Sequence, residues 1–343
     1  MAFGMIRFLL VVTFTVFFEG SVCQSQSIDL IPVKKIGGFR QMIWSAVFSP
    51  DNKILAIGCV DSTLKLWDVQ SNSELFTIPV IYGVTSTAFS PDGQFMALGN
   101  YHSTITLWNV KNKVMVREFS GHKNVVWSVA ISNNGKWLAS GCGDGSIKLW
   151  DIGTGQLLRD LVSHSKIVWS LAFSPDSKNL ISGSFDKSLK IWEVDSGNML
   201  ISKNEHTEAI VSVAYSPDGK FVATGSDDKR AILWDAHTGK LIKEFSGPME
   251  CLYAVAFTPD GKYLVCGGRD RNWLGELFQN FMGKDYYKSN GESLWLWEVA
   301  DGKLVKSFSP HHDDIYSASF SSDGKWFATG SSDKTAILWS VKR

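Results

Sequence analysis

The sequence predicts an all-β chain: a closed ring of seven small sheets, each of four antiparallel strands. Three observations predict it. First, a closing tryptophan recurs in "LKLWD", "ITLWN", "IKLWD", "LKIWE", "AILWD", "LWLWE" and "AILWS", at Trp67, Trp108, Trp150, Trp192, Trp234, Trp297 and Trp339. The spacings are 41, 42, 42, 42, 63 and 42 residues, so one unit repeats seven times and one copy carries an insertion of about 21 residues. Second, each unit alternates apolar and polar residues, and turn sequences separate the runs: "SPDN", "SPDG", "SNNG", "SPDS", "SPDG", "TPDG" and "SSDG". Third, the chain stops one strand short of a full last unit, while a spare strand stands at its other end.

The elements follow in chain order. Residues 1–23 read as a targeting segment: Arg7 supplies a positive charge, "FLLVVTFTVFF" (8–18) an apolar core, and Ser21 and Cys23 a small-residue site for cleavage before Gln24. The apolar run is shorter than the roughly 20 residues a membrane span needs. The expectation is therefore a cleaved signal peptide and a secreted or periplasmic protein with no stable membrane span after cleavage. An uncleaved membrane anchor is the alternative. Residues 24–343 then form one domain.

"SIDLIPVKKIGGF" (27–39) aligns with "GKLVKSFSP" (302–310) and "GKLIKEFSG" (239–247), both fourth strands. The N-terminal segment thus supplies the fourth strand of the last unit, with residues 29–36 expected to pair with 335–340. Pairing abolishes an edge that would otherwise recruit other chains. Inside a typical unit, "VWSVAIS" (126–132), "KWLASGC" (136–142), "SIKLWD" (146–151) and "GQLLRDLVS" (155–163) are strands a to d. Such a sheet has two apolar faces, and only stacking on both neighbours buries them. The insertion, about 271–292, holds Trp273, Leu274, Leu277, Phe278, Phe281 and Met282 at helical spacing. It reads as a lid packed on its own unit or as a docking helix.

Composition narrows the function. The 343 residues are 44% hydrophobic and 20% charged, and Lys+Arg equals Asp+Glu at 34 each. No basic excess points to nucleic acid. No P-loop, GxSxG elbow, HExxH or CxxC occurs. "HHDD" (311–314) places four candidate ligands in one short loop, where they cannot converge on one ion, so no metal and no cofactor is expected. Cys59, Cys142 and Cys266 fall on inner strands as small buried hydrophobes, and a Cys251–Cys266 bond is possible but not favoured.

The "GH" variants, the "FSPDG" turns, the "ASGSxD" pattern and the closing Trp-Asp, seven times in register over residues 28–343, resemble the WD-repeat family of seven-bladed β-propellers. The resemblance implies a buried hydrogen-bonded tetrad that satisfies each tryptophan N–H. The sets are Trp150/Ser140/His122/Asp144, Trp192/Ser182/His164/Asp186, Trp234/Thr224/His206/Asp228 and Trp339/Thr329/His311/Asp333. Ser, His and Asp together also suit a hydrolase. Four copies, each tied to a Trp, favour a structural role. Blade 1 has Phe39 and Ile57 at tetrad positions, blade 2 has Val80, Leu98 and His102, and blade 6 has Pro248 and Cys266, so these blades are expected to be the softer arc.

Links d–a and b–c share one side of the ring, the top. The position entering strand a is Trp44, Thr85, Trp127, Trp169, Val211, Tyr253 and Tyr316; the position before the tetrad Asp is Val60, Tyr101, Gly143, Phe185, Asp227, Arg269 and Ser332. In the family these two positions line the top rim and contact partners. The implied site is therefore Trp44, Tyr101, Trp127, Trp169, Phe185, Tyr253, Arg269 and Tyr316, and the implied partner a protein or peptide. The expected function is a non-enzymatic binding scaffold, exported from the cytoplasm. The alternatives are a small-ligand or enzymatic site in the central channel, and a structural subunit of a larger extracytoplasmic complex.

Overall fold

A computed structural model describes residues 28–162, 164–247, 250–269 and 292–343. The proposed signal segment, most of the insertion and Pro248 lie outside the described residues. The strands form seven four-stranded sheets, or blades. In blade 3, β10 (Val126–Ile131), β11 (Trp137–Cys142), β12 (Ser146–Asp151) and β13 (Leu157–Val162) lie side by side in chain order.

Blade 7 alone is built from both ends of the chain. Its order is β1 (Asp29–Ile36), β28 (Ala336–Lys342), β27 (Trp326–Ser331) and β26 (Ile315–Phe320). Strand β1 runs antiparallel to β28, from Asp29 opposite Lys342 to Ile36 opposite Ala336. The expected closure is thus present, and the paired segment reaches two residues beyond Ser340.

The a–b turns are made alike in all blades. The Ser49 hydroxyl donates to Asp51 at 2.6 Å and accepts the Ile54 N–H at 2.9 Å. Ser90, Ser132, Ser174, Ser216, Thr258 and Ser321 bind Asp or Asn two residues on in the same way. The turn needs a left-handed residue, met by glycine in five blades, as by Gly93 at φ 68°, and by Asn52 at φ 60° and Ser177 at φ 62° in the two that lack it.

The core lies between blades. Phe39, Ile43, Leu55, Ile57 and Trp67 of blade 1 pack with Ala328, Ala336 and Leu338 of blade 7. Phe245 and Leu233 of blade 5 pack with Leu252, Phe257 and Trp297 of blade 6. Each face is therefore buried only because a neighbour covers it. Strand a is innermost, since each first strand meets the first strands of the blades beside it.

A polar stitch repeats at these inner contacts. The hydroxyl of a strand-a serine accepts a backbone N–H from the next blade: Ser86 from Val129 at 3.2 Å, Ser128 from Leu171 at 3.0 Å, Ser170 from Val213 at 3.1 Å and Ser212 from Val255 at 3.0 Å. Ser317 takes the Ala46 N–H at 2.9 Å and so joins blade 7 to blade 1. Ala254 holds the equivalent place in blade 6 and has no hydroxyl to offer.

Candidate functional site

The buried polar sets were built first by the sequence repeat. In blade 4, Trp192 Nε1 donates to Ser182 Oγ at 2.9 Å, His164 Nε2 meets that hydroxyl at 2.8 Å, and His164 Nδ1 meets Asp186 at 2.9 Å. Blade 5 repeats this through Trp234, Thr224, His206 and Asp228, and blade 7 through Trp339, Thr329, His311 and Asp333. Burial lowers the pKa of His164 and of His311, which keeps both imidazoles neutral. The histidine bonds hold the Asp186 and Asp333 carboxylates below their usual range, although burial opposes this. Buried histidines bonded through both ring nitrogens, each tied to a tryptophan, form a repeated structural brace.

Blade 3 differs from the expected tetrad. Trp150 donates to Ser140 at 2.9 Å and His122 meets Ser140 at 2.6 Å, but His122 Nδ1 faces the Ser146 hydroxyl at 3.3 Å instead of the Asp144 carboxylate. Asp144 Oδ1 accepts the Ser146 hydroxyl and N–H, and its side chain is exposed. A flanking glycine, Gly145 at φ 87°, replaces the lysine found there in blades 4, 5 and 7.

Blades 1, 2 and 6 solve the indole problem locally or not at all. Trp67 donates to Asn72 at 3.2 Å and Trp108 to Thr106 at 2.9 Å. Among the described residues, the buried N–H groups of Trp295 and Trp297 in blade 6 have no partner.

The rim residues are placed by a backbone device. Strand a of every blade breaks register at one residue: between Ile43 and Ser45, Val84 and Ser86, Val126 and Ser128, Val168 and Ser170, Ile210 and Ser212, Leu252 and Ala254, and Ile315 and Ser317. The skipped residues are Trp44, Thr85, Trp127, Trp169, Val211, Tyr253 and Tyr316, the rim set itself. A bulge takes its extra residue out of the ladder and re-aims the side chain.

The re-aimed rings meet across the channel mouth. Trp44 of blade 1 lies 5.9 Å from Trp127 of blade 3, 5.7 Å from Trp169 of blade 4 and 4.2 Å from Tyr316 of blade 7. Trp127 stacks on Trp169 at 4.4 Å, Trp169 on Phe185 at 5.0 Å, and Tyr253 meets Tyr316 at 5.1 Å. Tyr101 packs edge-on against Trp127 at 5.6 Å and accepts the Trp44 N–H at 2.9 Å. All these rings are half-buried, so they fill the mouth and still present a face to solvent. Burial pushes the Tyr316 hydroxyl up to about 12 and raises those of Tyr101 and Tyr253, so all three remain protonated donors.

At one side of this cap Arg269 donates to the Tyr253 hydroxyl at 2.6 Å and lies 3.7 Å from Asp314. Among the described residues Asp227 Oδ1 is buried with no hydrogen-bond partner, and burial raises its pKa. Trp44, Tyr101, Trp127, Trp169, Phe185, Tyr253, Arg269 and Tyr316 thus join one aromatic and charged surface, whereas Thr85 and Val211 at the same bulge position are buried. The bulges and the contacts across the axis were not read from the sequence. The bulge leaves no residue-type signature beyond the "VWS" pattern, and the cross-ring contacts join residues far apart in the chain.

The WD domain, G-beta repeat profile matches residues 31–68, 77–109, 113–151, 155–193, 197–235, 239–273 and 302–340, well over half of the chain. The chain belongs to the WD40 repeat family. This WD-repeat chain is 35% identical over 60 residues to an intraflagellar transport protein 122 homolog of Danio rerio, covering 18% of this chain and 5% of that protein. It is 38% identical over 52 residues to the Homo sapiens homolog, covering 15% and 4%. It is 38% identical over 50 residues to WD repeat-containing protein 18 of Mus musculus, covering 15% and 12%. The WD-repeat chain therefore spans only a small part of the length of these relatives. Cys59, Cys142, Cys251 and Cys266 are free thiols in the propeller. No helix among the described residues is long and apolar enough to cross a membrane.

Proposed function

We propose that this propeller is a non-enzymatic scaffold that binds a protein or peptide partner across the top-face aromatic cap, outside the cytoplasm. The observation that carries the reading is the cap itself: seven aromatic rings, from Trp44, Tyr101, Trp127, Trp169, Phe185, Tyr253 and Tyr316, are gathered on one face and left half-exposed. Trp, Tyr and Arg dominate interface hot spots because they bury much area at little entropic cost. A rigid ring holds them in place before a partner arrives, which reduces the ordering that binding requires. The names of the matched relatives, intraflagellar transport protein 122 and WD repeat-containing protein 18, are compatible with a role outside catalysis and assign no partner here.

Photo-crosslinking from positions 185 and 253, in cells that make the protein, identifies what sits on the cap. Binding of that partner is then measured for Trp169→Ala and Tyr316→Ala, and for Lys220→Ala in a bottom turn. Each top-face variant is expected to lose more than about 1 kcal/mol, with Lys220→Ala unchanged. The reverse pattern sinks the top-face assignment. Export is tested separately by N-terminal sequencing of the mature chain, expected to begin at Gln24; a retained Met1 in the mature protein overturns cleavage.

A further inference from the structure

We propose that blade 3 carries a divalent-cation site, best suited to Zn²⁺, formed by His122, Cys142 and Asp144. A ligand atom of each lies within 4.8 Å of the other two. An imidazole, a thiolate and a carboxylate are the donor types that zinc takes, with a water completing four-coordination. Bond lengths of about 2.0–2.3 Å put tetrahedral ligands roughly 3.3–3.8 Å apart, so the set must close slightly. Asp144 can make that movement: its side chain is exposed and it stands between Gly143 and Gly145.

The repeat supplies its own controls. Blade 1 has a cysteine and an aspartate at these positions, Cys59 and Asp61, but Phe39 where the histidine would be. Blades 4, 5 and 7 have the histidine and the aspartate, but Ser184, Ser226 and Ser331 where the cysteine would be. Blade 3 alone brings all three together.

Its hydrogen bonding differs in the direction a metal needs. In blades 4, 5 and 7 the carboxylate Oδ2 is bonded to histidine Nδ1 at 2.8–3.1 Å. In blade 3 that bond is absent: the Asp144 carboxylate is hydrogen-bonded by Ser146 and by the Cys142 thiol, which is shared with the Asn124 carbonyl at 3.2 Å, and His122 Nδ1 has only the long 3.3 Å contact with Ser146. The Ser146 hydroxyl is already committed to Asp144 Oδ1 at 2.6 Å. His122 is 8% exposed, so its ring is fixed and its Nδ1 is aimed into the site.

A second shell is also in place. His122 Nε2 lies 2.6 Å from Ser140 Oγ, which takes the Trp150 N–H as well. With its proton on Nε2, His122 donates to Ser140 and turns the Nδ1 lone pair toward Cys142 and Asp144, the arrangement that orients metal-bound histidines. A thiolate and a carboxylate balance the charge of one dication. The nearby Lys148 ammonium is paired with Asp160. Binding would release the thiol proton of Cys142 to solvent and would brace the one tetrad in which the His–Asp bond is missing.

The test uses the full chain, stripped with chelator and titrated with Co²⁺ and Zn²⁺. One equivalent of Co²⁺ is expected to give a thiolate-to-cobalt charge-transfer band that Zn²⁺ abolishes. Cys142→Ser should lose the band and Cys59→Ser should keep it. The first variant carries the residue that blades 4, 5 and 7 already use, so its fold should hold, and circular dichroism verifies this. Asp144→Asn should weaken Zn²⁺ about 10–100-fold. A wild-type protein without a thiolate band, a band that persists in Cys142→Ser, or an Asp144→Asn variant with undiminished affinity overturns the proposal.

Discussion

The Ser317 hydroxyl accepts the Ala46 backbone N–H at 2.9 Å, and so binds blade 7 to blade 1 across 271 residues of sequence. Both residues are buried, so the amide has no access to water. Ser317→Ala leaves that amide unpaired and is expected to destabilise the fold by about 1–2 kcal/mol. Chemical denaturation reads this as a lower midpoint at unchanged slope. An unchanged midpoint would show that the stitch contributes nothing to ring closure.

The larger part of closure is strand β1. It pairs with β28 from Asp29 to Ile36, with a break in register at Val33, and Leu30, Ile36 and the preceding Ile28 lie in the core. Removing residues 24–37 unpairs a ladder of backbone bonds, each worth about 1 kcal/mol net, and exposes apolar area on two blades. Together these rival the 5–15 kcal/mol that holds a domain folded. The truncated chain is expected to aggregate or to melt far lower. A monomeric product with the full-length melting temperature contradicts the closure argument.

The ring was legible in the sequence because its cause is periodic. Trp spacing, turn chemistry and the homology of 27–39 to fourth strands each report a local rule repeated seven times. The a, b, c and d strands of blade 3 accordingly match within two residues at their ends. What escaped was non-local. Ser128 and Leu171 are 43 residues apart, and neither residue type announces an inter-blade bond. Trp44 reaches Trp169 only because bulges turn both toward the axis, and a bulge is a register property of paired strands. Asp144 sits in the right place by sequence, yet between two glycines its carboxylate does not bond His122, although its Oδ1 takes the Ser146 hydroxyl just as Asp186 takes Ser188 and Asp333 takes Thr335.

The tetrads make the blades unequal. His164 links a buried serine to a carboxylate, whereas His102 is exposed and stacks on Tyr82 with ring centroids 3.9 Å apart. His164→Ala should cost roughly 1–3 kcal/mol by stranding Ser182 and Asp186. His102→Ala should stay within about 0.5 kcal/mol. Equal losses in parallel denaturation curves would remove the distinction between braced and unbraced blades.

Acid should unfold the ring from the tetrads. His164 and His311 have pKa values lowered in the native state, so below about 6.5 the unfolded chain takes up protons that the folded chain refuses. Stability is then complete above that value and falls as pH drops. Asp186 and Asp333 are also held low, so a second loss begins below about 4, where only the unfolded carboxylates protonate. Denaturation midpoints measured at about pH 7.5, 5.5 and 4 should decline in that order, with a smaller decline over the first step in His164→Gln. A midpoint that rises on acidification contradicts the neutral-histidine assignment.

Blade 6 offers the complementary test, a gain. Trp297 is 4% exposed and, among the described residues, its N–H has no partner. The position that supplies the acceptor elsewhere is Cys266, fully buried on β23 (Tyr263–Gly268) and opposite Trp295 on β24 (Leu294–Glu298). Burial drives its thiol pKa far up, so it stays a neutral, weakly accepting group. Blades 5 and 7 hold Thr224 and Thr329 there, each accepting an indole N–H at 3.0 and 3.2 Å. Thr224 also donates to the Ile232 carbonyl at 3.4 Å, and Trp295 offers the equivalent carbonyl in blade 6. Cys266→Thr therefore satisfies one orphan donor without stranding its own hydroxyl. It is expected to stabilise by about 0.5–1.5 kcal/mol, the net worth of one buried hydrogen bond. Cys266→Val has nearly the same shape and no acceptor, so it separates hydrogen bonding from packing. If threonine and valine shift the midpoint equally, the orphan indole is not what limits blade 6.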